Sequence, residues 1–69
     1  MKNNWFHETF YFGLNFDATL YNNYQGSYKV IVENNTDGSR KVKQFKDKNA
    51  RKLAIEFAQS ESKKEQISL

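Results

Sequence analysis

No cysteine occurs among the 69 residues, so neither a disulfide nor a Cys-based zinc site braces the chain. A chain this short buries only about 60% of the surface it exposes when unfolded, so a core of large side chains or a partner subunit must supply the rest of its stability. Eleven aromatic residues, one Trp, four Tyr and six Phe, meet that need. The lack of cysteine is also compatible with a reducing cytosol.

Long apolar runs are missing as well. Nothing approaches the roughly 20 residues of a spanning helix, and the start, Met1-Lys2-Asn3-Asn4-Trp5-Phe6-His7-Glu8, meets polar residues before a signal-type apolar segment can form. The expectation is a soluble cytoplasmic protein with no membrane contact. Without secretion, the sequon Asn34-Asn35-Thr36 reads as a turn.

Catalytic combinations are equally scarce. His7 is the sole histidine, the carboxylates are scattered, and Gly13, Gly26 and Gly38 form no phosphate-cradling loop. A lone histidine near a terminus is an ordinary surface or sheet residue. We therefore expect no enzyme, no metal site and no cofactor.

What the chain does have is charge of one sign in one place. Residues 1–28 hold one basic group and two acids, whereas residues 29–52 hold eight basic groups against three acids. The net charge of +3 is thus a local patch on a nearly neutral protein, and such a patch attracts a polyanion. Lysines on strands also serve simply to keep sheet edges from pairing.

Alternation sets the secondary structure. From Phe6 to Leu20 seven of the eight even positions are apolar (Phe6, Phe10, Phe12, Leu14, Phe16, Ala18, Leu20), a period of two that argues one bent strand or two short ones. The Asn- and Gly-bearing segment 21–27 reads as a loop. Tyr28 to Glu33 is a strand with Tyr28, Val30 and Val32 inward and Lys29, Ile31 and Glu33 outward. Asn34 to Gly38 makes a hairpin turn with Gly38 at positive φ. In the next strand, Ser39 to Phe45, placing Val42 inward with Arg40 and Gln44 sends Lys41 and Lys43 outward beside Lys29, and Phe45 then breaks phase to pack under a helix.

That helix is expected to start at Asp47 as N-cap and to bury Ala50, Leu53, Ala54, Phe57 and Ala58, spaced i, i+3, i+4, i+7, i+8. The assembled picture is an α+β fold. Three antiparallel strands, or four if residues 5–20 divide, pack on one C-terminal helix in a single domain over residues 1–60, followed by a polar, fraying tail over 61–69. One sheet face is left open, bearing Lys29, Lys41 and Lys43 with Tyr11, Thr19 and Tyr21.

The run from Ala18 to Gln59, with GSYKVIV, an NTDG turn, RKVKQF and KDKNARKLAIEFAQ, resembles the small N-terminal arm-type DNA-binding domains of phage and transposon tyrosine integrases. In that family a three-stranded sheet backed by one helix lies in the DNA major groove. The third strand there leads through an aromatic residue, as Phe45 does here, into an Ala-containing helix. The resemblance implies duplex DNA contact through outward sheet residues, here Lys29, Lys41 and Lys43, in an accessory factor of a phage or mobile element.

A second class of function fits the aromatic residues instead. Trp5, Tyr11 and Tyr21 fall on the phase away from the expected core and are candidates for contact with a protein. That partner would be a host or defence protein, with this chain as a phage-encoded modulator or inhibitor, or a second copy in an obligate homodimer.

Overall fold

The computed structural model describes residues 4–64. Four strands, β1 (Phe6–Tyr11), β2 (Phe16–Asn22), β3 (Tyr28–Asn34) and β4 (Arg40–Phe45), precede one helix, α1 (Ala50–Ser62). The strands form a single antiparallel sheet in the order β1-β2-β3-β4, each beside its sequence neighbour. Residues 5–20 therefore supply two strands rather than one bent strand.

Short side chains fix each connection. Between β2 and β3, Asn23 Oδ1 accepts the N–H groups of Gln25 at 2.8 Å and Ser27 at 3.0 Å, and Asn22 Oδ1 accepts that of Tyr24 at 2.8 Å. This lets Tyr24 and Gly26 adopt positive φ. The β3–β4 turn closes as expected. Gly38, at φ 75°, donates its N–H to Asn34 O at 2.8 Å, and the Ser39 N–H donated to Asp37 Oδ1 holds that carboxyl below its usual pKa.

Gly13, between β1 and β2, has a different constraint. Its N–H donates to Asp17 Oδ1 at 2.9 Å. A Cβ there would lie 1.9 Å from Phe16 O and 2.3 Å from Ser62 O, so only glycine lets the β1–β2 loop touch the end of α1.

α1 covers one face of the sheet, chiefly over β2 and β3. The core joins Ala18, Leu20, Val30 and Val32 from the sheet to Ala54 and Ala58 from the helix, with Tyr11, Phe16, Tyr28, Phe45, Ile55 and Phe57 packed around it. Ala50, Ala54 and Ala58 are the buried apolar helix residues, one turn apart, and their small size brings the helix close to the strands. The expected stripe is narrower than the sequence suggests, since Leu53 is 39% exposed and Phe57 half-buried.

The start of the helix also differs from expectation. Asn49 is the N-cap and makes no side-chain capping bond, while Asp47 Oδ1 accepts the Asn49 N–H at 3.0 Å and Asp47 O accepts the Ala50 N–H at 2.9 Å. Asp47 thus forms the turn that leads into the helix rather than the cap. At the other end α1 runs on through Glu61 and Ser62, both buried, past the expected fraying point. The rest of the expected tail, 65–69, lies outside the described residues.

A bulge shifts the phase of β1. His7 pairs with Tyr21 but Thr9 pairs with Leu20, leaving Glu8 as the extra residue. Beyond it Tyr11 lies opposite Ala18 on the covered face, and Phe10 lies opposite Thr19 on the open face. The even-position core reading holds for Phe16, Ala18 and Leu20 but fails for Phe6, Phe10, Phe12 and Leu14, which are 46%, 48%, 82% and 81% exposed.

Candidate nucleic-acid interface and the open sheet face

The register of β4 decides where the candidate lysines go. Lys41 pairs with Val32, Lys43 with Val30 and Phe45 with Tyr28, so these three share the face that α1 covers. Arg40, Val42 and Gln44, opposite Glu33, Ile31 and Lys29, occupy the open face. The expected cluster of Lys29, Lys41 and Lys43 on one face is therefore corrected: Lys29 stands on one side of the sheet and the other two on the opposite side. Phe45 turns inward as expected, but without a break in phase.

Lysine is tolerated on the covered face because β4 is an edge strand at the flank of the helix. The Lys41 ammonium is 5.9 Å from the Phe57 ring centroid, and that of Lys43 is 5.2 Å from Phe57 and 5.6 Å from Phe45. The stems lie along apolar surface while the charged ends reach water. Lys41 also ends 3.0 Å from Glu61 Oε1, and Lys64 lies 2.6 Å from Glu61 Oε2. Burial raises the pKa of Glu61, but hydrogen bonds and charge from Lys64 and Lys41 outweigh it and hold the carboxyl below its ordinary value.

Lys41 and Lys43 belong to a basic stretch of the chain that runs from β4 into the first turns of α1. Between Arg40 and Lys52 stand seven cations and one acid, Asp47. Of the seven, Lys41 and Arg51 form ion pairs among the described residues, the latter with Glu8 Oε2 at 3.0 Å. Arg40, Lys43, Lys46, Lys48 and Lys52 form none among the described residues. Two shallow hollows include residues of this stretch. One, of about 220 Å³, is lined by Phe16, Val32, Asn34, Ser39, Arg40 and Lys41; the other, of about 500 Å³, by Lys48, Asn49, Arg51, Lys52, Ile55 and Glu56.

The open face is built differently. Three rows cross it: Asp17, Glu33 and Arg40; then Phe10, Thr19, Ile31 and Val42; then His7, Tyr21, Lys29 and Gln44. Trp5 completes the third row, with the Lys29 ammonium 4.6 Å from its ring centroid and 5.4 Å from that of Tyr21. A hollow of about 150 Å³ reaching across the rows is lined by Phe10, Asp17, Thr19, Tyr21, Ile31, Glu33 and Arg40. Two acids and two cations cancel here, leaving a face that is aromatic and apolar rather than basic.

Trp5 and Tyr21 thus stand together on the open face, whereas Tyr11, the third aromatic candidate, packs against the core. Phe10, Val42, Arg40 and Gln44 are open-face residues that alternation alone misassigns. Phe45 carried the signal for β4, because an aromatic that must meet the helix places positions 41 and 43 on its own side.

Among the described residues no cluster of His, Cys, Asp or Glu is arranged to hold a metal ion, and no helix is long and apolar enough to cross a membrane. Comparisons of the chain with protein-family models, curated proteins and solved structures find no match.

Proposed function

We propose that the protein is a small nucleic-acid-binding module that meets duplex DNA through its basic stretch, β4 and the first turns of α1. The observation that carries this reading is the run of seven cations from Arg40 to Lys52, five of them without an ion pair among the described residues. Unpaired cations neutralise phosphates and release counterions, and that release supplies most of the affinity in nonspecific DNA binding. The outer β3–β4 ribbon, two strands about 5 Å apart, has the width of elements that enter a major groove about 12 Å across. The resemblance to integrase arm-type domains supports the same class and suits an accessory factor of a phage or mobile element. The contact residues, however, are Lys41, Lys43, Lys46, Lys48 and Lys52 rather than a trio that includes Lys29.

Fluorescence anisotropy with a labelled duplex, titrated with salt, tests this. Binding should weaken steeply with salt, and Lys43→Ala or Lys46→Ala should each lower the log–log slope by roughly one. Lys29→Ala should leave the slope unchanged, because its ammonium sits over Trp5 and Tyr21 on the open face. No binding to any duplex at low salt ends the proposal.

A further inference from the structure

We infer that the open sheet face is the interface of a homodimer, in which two copies pack face to face about a two-fold axis running across the strands. Such a dimer forms whether or not DNA is bound.

The core is short of large side chains. Among the described residues, Leu20 and Val30 are the largest side chains that are fully buried, and the apolar helix residues that are buried are alanines, with Ile55 and Phe57 half-buried beside them. A chain this small with so little buried volume, and with no cysteine, needs another source of burial. Meanwhile Phe10, Val42, Tyr21, Ile31 and Trp5 lie together on the uncovered face.

The sheet edges offer a poorer route to association. β1 is broken by the bulge at Glu8, and β4 carries Arg40, Lys41 and Lys43, both standard obstacles to strand addition. The face itself spans four strands of six or seven residues, a footprint of about 400 Å² before side-chain relief is added. With that relief, two copies approach the roughly 1,200 Å² total of the smaller specific interfaces.

The order of the rows selects a second copy of this chain as the occupant. A two-fold axis parallel to the rows leaves the middle row facing itself, so Phe10, Ile31 and Val42 meet their equivalents. It also sets the first row of one copy, net negative through Asp17 and Glu33 against Arg40, over the third row of the other, positive through Lys29. An axis along the strands would instead stack acids on acids. The face is thus complementary to itself in one orientation, the requirement of an isologous contact. The same axis lays β4 over β4, so the two basic β4 strands run side by side about 10 Å apart, the spacing of packed sheets.

Analytical ultracentrifugation without nucleic acid tests the inference. The wild-type chain should sediment at twice its 8.2 kDa mass at micromolar concentration. Val42→Asp should raise the dimer dissociation constant roughly tenfold or more, because Val42 is 56% exposed and its replacement leaves the helix side untouched. Lys29→Glu and Glu33→Lys should each weaken self-association, and an equimolar mixture of the two should form a heterodimer, which also shows that both variants fold. A folded wild-type monomer at several hundred micromolar would overturn the inference in favour of a foreign partner. A dimer unaffected by Val42→Asp would overturn it in favour of another surface, and failure of the mixture to pair would overturn the orientation.

Discussion

The two faces of this sheet are packed on opposite plans. Under the helix the fully buried side chains are mostly small, so that α1 lies close to β2 and β3, and the margin is sealed by half-buried aromatic residues with the lysine stems over them. On the other face the side chains are large and aromatic, their charges cancel, and nothing in the chain's described residues covers them. Fit is therefore exacting on the covered face and loose on the open one. Lysine content is a poor guide to which is which, since two of the three sheet lysines, Lys41 and Lys43, belong to the side with the core.

The sharpest way to break that contrast is at Gly13. With backbone oxygens at 1.9 and 2.3 Å from an added Cβ, Gly13→Ala should lower unfolding free energy by about 3 kcal/mol or more, or abolish folding, as read by urea denaturation. An unchanged denaturation midpoint would show that the loop and the end of α1 are not in tight contact.

Truncation of single side chains should separate the faces next. Leu20→Ala, at a fully buried position, should cost ~3 kcal/mol. Phe10→Ala, at a position 48% exposed, should cost under ~1 kcal/mol when measured at a concentration where the chain is monomeric. Equal losses would mean that the open face is as firmly packed as the covered one.

The smallest effect concerns the lysine margin. Because Glu61 has a depressed pKa when folded, its contribution is present above the ordinary glutamate pKa and is lost as pH falls through the folded value. Glu61→Gln should cost on the order of 1 kcal/mol at neutral pH, a modest figure because both lysine partners are more than half exposed. The stability difference between this variant and wild type should then shrink as the pH is lowered below about 4, and a pH-independent gap would remove the ion pairs as its cause.

Much of this was legible in the chain. The inward phase of Tyr28, Val30 and Val32, the turn closed by Gly38, and a helix presenting Ala50, Ala54 and Ala58 all follow from alternation, turn chemistry and helical spacing. Where reading failed, the cause was one residue of phase. In β1 the bulge at Glu8 moves Tyr11 to the core and Phe10 to the surface, and no local pattern marks it, since aromatic residues occupy both phases. In β4 Val42 suggested an apolar inward position, but pairing with Ile31 puts it on the open face.

The sequence by itself determined the element types, the hairpin between β3 and β4, the α+β class and the concentration of positive charge between Arg40 and Lys52, because propensity, periodicity and charge are local properties. Only the tertiary structure decided which face each β1 and β4 side chain occupies. Sheet register has a period of two, so a single inserted residue or a single long-range pairing exchanges every side chain between core and solvent. Local composition does not encode that choice; the partner strand and the covering helix make it.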